Sequence, residues 1–313
     1  MHPRQDSPFK SLWQSRYPFE YWSNRLEKIN PYNQADRLEA LYSLVQISDI
    51  YVHIFAAYAQ NPDMPWFFLK ENTRRWHIDD VLDQLRMNGI ITVGGLVNDG
   101  EGTITVDTRD EFDLHEMDAV AAGVLGCPYT VDEESKSVLF EEPPELHRGV
   151  ANAILNFADE NRALLNDFKH GFRVLPVTPD DIESMLQSSF RLDEEDQEEF
   201  KTKLEALRKR QERDDWGFSF VRIHADEQDY GYDLQLDLYH VDAWTCYKFA
   251  DLTLVALHNL ISPGHGEHLE ESLLEVPIDM LEGNNSFIEH IFGFGLPIRN
   301  NPEIVVPYDE FQS

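Results

Sequence analysis

Between Ala35 and Ala59 the apolar residues Leu38, Leu41, Val45, Tyr51, Ile54, Phe55 and Tyr58 recur three and four positions apart, the repeat of one helix face. The spacing predicts a long amphipathic helix that Asn61-Pro62 stops. A shorter helix is expected over Ile78 to Met87, ended by Asn88-Gly89. The longest should run from Glu145 to His170, opened by Pro143-Pro144, closed by Gly171, and striped by Leu146, Val150, Ile154, Phe157, Leu164, Leu165 and Phe168. Residues 193–213 carry only Phe200, Leu204 and Leu207 as apolar positions, so a solvated helix with a narrow packing stripe follows, supported by Glu199 with Lys203 and Glu205 with Lys209. Ala243 to Ile261 is apolar on most sides, which predicts a central helix.

Elsewhere the period shortens to two. Ile90 to Val93 and Gly102 to Val106, around Asn98-Asp99-Gly100, read as a β-hairpin, with a short helix expected at His115 to Leu125. Tyr129 to Val131 with Ser137 to Phe140, and Phe218 to Ile223 with Tyr232 to His240, read as two more. The fold class expected is mainly α (α+β), a helical bundle decorated by small antiparallel hairpins. Residues 1–33 should form an aromatic arm with a short helix near Glu20 to Ile29. Residues 34–262 should form a single helical core with β insertions near 90–140 and 215–240, and 263–313 a mostly irregular tail.

Composition changes the picture through charge. The chain has 58 acidic against 26 basic residues, a formal charge of -32. A chain this acidic is either disordered or lives where salt screens its self-repulsion. With 42% hydrophobic and 12% aromatic residues it has ample core material, which excludes disorder and points to a halophilic, KCl-screened protein, the plainer alternative being an acidic mesophilic protein with one solvated face. Cys127 and Cys246 sit in apolar surroundings and read as buried thiols of a reducing cytoplasm. Neither a signal-peptide pattern nor an uninterrupted run of membrane-spanning length is present, so a cytoplasmic location is expected.

Candidate chemistry concentrates between Asn161 and Gly171. At about 100° per residue, Arg162, Asn166, Lys169 and His170 fall on one polar stripe. Cation, amide and imidazole together can bind a phosphate and move a proton, and the helix dipole favours a charged His170. Helix-end physics also prefers Lys and His before a closing glycine with no function at all. A long helix ending in Asn166-x-x-Lys169-His170-Gly171, after a first amphipathic helix and before a closing apolar one, resembles the HEPN superfamily. That resemblance implies a helical bundle and, in many members, a metal-independent ribonuclease of toxin or antiphage type. Others are inactive and act through binding or assembly. The ribonuclease motif of that superfamily sets an Arg five to seven positions before the His, whereas here Ala163, Leu164 and Leu165 stand there and Arg162 is eight before His170.

Other constellations are thinner. His265, Glu267 and His268 place three donors in a glycine-rich loop that could hold zinc if a fourth, such as His258, arrived; a surface loop is the plainer reading. His115-Glu116 lacks the second His of a zincin, with Ala119 in its place. Arg208-Lys209-Arg210 with Arg213 is a basic cluster, placed where a helix dipole favours cations. Asp49 and His53 share one turn of the first helix. No glycine pattern cradles a nucleotide and no cofactor is called for. RNA and a second copy of the chain are the partners to consider.

Overall fold

The computed structural model describes residues 8–30, 32–60, 65–66, 69, 125–132, 137–169, 173–189, 194–211, 216–228, 231–262, 268–273, 276 and 287–297. The protein is mainly helical with antiparallel strands. It divides into two compact units, one of residues Met1–Leu165 with Asp242–Phe287, the other of Asn166–Val241 with Ile288–Ser313. The expected helix at 78–87, hairpin at 90–106 and, but for Leu125, helix at 115–125 lie outside the described residues.

The first unit is built on α3 (Gln34–Gln60) and α8 (Ala243–Ile261), which lie against each other. Both are buried on more than one side. Leu41, Leu44, Ile47 and Phe55 of α3 and Leu252, Leu257 and Ile261 of α8 are wholly enclosed. By length and composition α3 could cross a membrane, yet 72% of its apolar window is buried inside the protein, as in a core helix. Asp242 starts α8, accepting from the backbone N–H groups of Trp244 and Thr245 and from the Thr245 hydroxyl.

Helix α4 (Pro144–Glu160) packs on α3, and the small hairpin β1 (Tyr129–Asp132) with β2 (Ser137–Phe140) precedes it. The arm forms α1 (Pro8–Arg16) and α2 (Phe19–Leu26), and α2 packs on α8. Arg25 fixes α2 to α3: its guanidinium lies over the Trp22 and Tyr42 rings and donates to Glu39 and to Gln46.

The long helix expected to His170 is interrupted. Asn161 leaves helical geometry at φ -105° and ψ 12°, and its side-chain amide donates to the Phe157 carbonyl at 2.9 Å. The Phe157 carbonyl accepts the Asn161 backbone N–H as well, at 3.0 Å, so it is shared between side chain and ladder. The chain resumes as α5, Arg162–Lys169.

The second unit is a four-stranded sheet in the order β3 (Val174–Val177), β4 (Gly217–Gln228), β5 (Gly231–Asp242), β6 (Ile288–Pro297). Helices α6 (Pro179–Ser189) and α7 (Glu194–Gln211) supply its core, where Ile182, Phe200, Leu204 and Leu207 meet Val221, Leu236 and Leu238. The narrow stripe of α7 is the one its sequence predicts. Arg208 on α7 donates to Asp180 and Glu183 on α6, so this member of the basic cluster is a helix-to-helix tie. The tail contributes α9 (Leu269–Leu273) as well as β6.

Two glycines report how tightly the helical unit is built. Gly126 has φ +70°, and a Cβ there would lie 2.5 Å from the Asn259 backbone. Gly149, inside α4, has open space around it. Gly126→Ala should therefore lower stability by about 3 kcal/mol, whereas Gly149→Ala should raise it by about 0.5 to 1 kcal/mol. Urea unfolding of the two variants beside the parent chain tests the contrast.

Candidate functional site

Three of the four residues expected to carry chemistry are described, and all three lie on α5: Arg162 half-buried, Asn166 and Lys169 exposed. His170 lies outside the described residues. The opposite side of α5 buries Leu164, Leu165 and Asp167. Asp167 was not singled out from sequence, yet it is buried and paired with a cation. Its carboxylate accepts from Nε of Arg222 on β4 and lies 3.7 Å from Arg173. Arg222 is also bonded to the Tyr239 hydroxyl on β5; burial lowers its pKa, and Asp167 and Tyr239 together outweigh that and raise it. Burial, then the nearby Asp237 charge, pushes the Tyr239 phenol up.

A second polar group crosses the same sheet. Leu236 and Leu238 of β5 point to the α7 side, so Asp237 and Tyr239 point to the other. Asp237 receives His290 Nε2 from β6 at 3.2 Å, and His224 Nδ1 from β4 lies 3.4 Å from its other oxygen. The His290 ring meets the Tyr239 ring edge-on at 5.2 Å. Two backbone features make this possible. The register of β5 with β6 slips between Leu238 and Tyr239, bringing His290 opposite Tyr239. Opposite Asp237 stands Gly293, where a Cβ would come within 2.8 Å of the carboxylate.

The alternative metal residues do not converge on a site among the described residues. His268 is half-exposed, 3.6 Å from Glu141 and 3.7 Å from Glu142, while His265 and Glu267 lie outside the described residues. His258, the fourth donor considered, packs its ring edge-on against Phe19 at 4.7 Å. Among the described residues no three of His, Cys, Asp and Glu are gathered to hold a metal ion.

Sequence reasoning also missed a buried pair in the helical unit. Glu142, 2% exposed, accepts from His147 Nε2 at 2.8 Å and from the backbone N–H groups of Leu269 and Glu270. Burial raises its pKa, and the two backbone donors with His147 more than reverse that, leaving it below the ordinary value. For His147 burial dominates, and its pKa falls despite the carboxylate. Burial likewise pushes both thiols up, aided by Glu142 at Cys127 and Asp242 at Cys246, so neither is a ready nucleophile. Compared with protein-family models, curated proteins and solved structures, the chain finds no match.

Two outcomes follow from these pairs. Both shifts at Glu142 and His147 are downward, so the stability they contribute is complete above the unfolded values and is lost as pH falls. Thermal unfolding should weaken first below pH 6.5 through His147 and further below pH 4.5 through Glu142. His147→Gln should flatten the first decline. Arg222→Leu leaves Asp167 with only the more distant Arg173 and should cost about 3 kcal/mol in a urea titration, against a smaller loss for Arg222→Lys.

Proposed function

We propose that this is a HEPN-like helical protein of a salt-rich cytoplasm that acts through binding or assembly. The observation that carries this reading is the division of labour on α5. Asp167 is turned inward and held by Arg222, while Asn166 and Lys169 face solvent. The inward group is consumed in the fold, and the outward groups are of a kind that contacts a partner without needing a reaction. Elsewhere the buried carboxylate of Glu142 is likewise engaged internally, by His147 and two backbone N–H groups. The acid excess is part of the same reading, because molar KCl shortens the screening length to about 3 Å and removes most of the self-repulsion.

A second reading is favoured by the exposure of Lys169, which immediately precedes His170 at the end of α5. It is a metal-independent RNA endonuclease using His170 with Arg162 or Lys169. The two readings separate when the purified protein is incubated with RNA in molar KCl and a chelator, beside His170→Ala. Binding or assembly predicts equal RNA survival in both. Cleavage by the parent chain and not by the variant would replace it with the nuclease reading.

A further inference from the structure

We propose that the groove between α7 and β6 is a binding site for a small zwitterion, an α-amino acid with a branched aliphatic side chain such as leucine. This goes beyond the binding-or-assembly reading, which concerns the outward side of α5, and the groove lies wholly within the sheet unit. Its volume is about 210 Å³, and it is lined by Lys203, Ala206 and Leu207 of α7 and by Glu289, His290 and Ile291 of β6. The β6 wall is where that strand is irregular. Leu238 pairs with Phe292 and Tyr239 with His290, so Ile291 between them is the extra residue of a bulge. Bulges bend a strand and re-aim its side chains, and they recur at sheet edges and beside binding sites for that reason.

The walls select the ligand. Leu236 and Leu238 face α7, so by alternation His240 does too, and Glu289 stands opposite His240 on that same face. His240 is buried, with Nδ1 3.3 Å from the Ser219 hydroxyl, so the carboxylate wall rests on a bonded inner layer. On the α7 wall the Lys203 ammonium lies 5.4 Å from the centre of the Phe292 ring. It also lies 2.8 Å from Glu199, one turn earlier on the same helix. Such an exposed pair contributes little in water, so the ammonium can turn to a ligand carboxylate at small cost. Ala206, Leu207 and Ile291 supply the apolar part of the lining. A cation on one wall, a carboxylate on the other and an apolar surface complement the carboxylate, ammonium and alkyl chain of one amino acid. An apolar cavity of about 150 Å³ takes a six-membered hydrocarbon ring, so this groove suits about eight or nine heavy atoms, the size of valine or leucine. A ligand without net charge also escapes the repulsion that a chain of charge -32 exerts on simple anions.

Equilibrium dialysis of the full chain against labelled L-leucine in about 1 M KCl is the test. Saturable binding with a Kd of about 1 mM or tighter is expected. Leucinamide, which lacks the carboxylate, and 4-methylpentanoate, which lacks the ammonium, should each compete at least about tenfold less well. These comparisons use the unaltered protein and do not depend on any variant folding. Lys203→Met and Glu289→Gln should each weaken leucine about tenfold. In the first variant leucinamide should then compete as well as leucine, and in the second 4-methylpentanoate should, which assigns each charge to its wall. No saturable binding up to about 10 mM, equal competition by the amide or the acid against the parent chain, or an unchanged affinity in either variant overturns the proposal. Such a failure leaves the reading of α5 untouched, whereas RNA cleavage that depends on His170 would remove that reading and leave the groove as it stands.

Discussion

The helical unit depends on one act of burial, that of α8 against α3. Each helix is apolar over most of its circumference, and such a helix is stable in water only when neighbours cover it on several sides. The remaining elements of that unit supply the cover. α4 closes over α3, α2 closes over α8, and Gly126 lets the chain before β1 approach the Asn259 backbone more closely than any side chain would allow. Asp242 sets where α8 begins by accepting from its first free N–H groups. The buried carboxylate of Glu142 does the same for the short α9. The two buried acids among the described residues are held so, Glu142 by backbone N–H groups and Asp167 by a cation.

How much of this was legible depended on whether a signal was local. Leu38 to Tyr58 and Trp244 to Leu260 announce their helices because each turn repeats the pattern, and Phe200, Leu204 and Leu207 announce the α7 stripe for the same reason. The break at Asn161 was hidden because the apolar stripe continues through it, and it shows in the backbone angles of Asn161, while the N–H groups of Asn161 and Leu165 still bond the Phe157 and Asn161 carbonyls. β6 read as irregular because Gly293, Gly295 and Pro297 punctuate it. In the fold, one of those glycines is the room that Asp237 occupies.

The polar groups divide in the same way. Arg162, Asn166 and Lys169 could be placed on one helix from their spacing alone. Asp167 stands among them, but its importance comes from Arg222, 55 positions later, and no periodicity links the two. His224, Asp237 and His290 come from three strands, and their meeting is decided by register and by a slipped residue between Leu238 and Tyr239. The strand over Tyr232 to His240 is expected from the sequence, but which of its polar residues touch a neighbour is set by register alone.

The sheet unit is discontinuous in the chain, with β5 ending at Asp242 and β6 beginning at Ile288. During synthesis the ribosome must add residues 243–287 in between, which at about 5 to 20 residues per second takes roughly 2 to 9 s. For that interval the side of β5 that will receive β6 has no partner strand, and Asp237 waits without His290. The newborn chain thus holds an open strand edge for seconds while α8, already emerging, seeks α3. The order of manufacture, and not only the final packing, therefore favours a sequence that stays soluble while incomplete, and a dense coat of carboxylates serves an unfinished chain as well as a finished one.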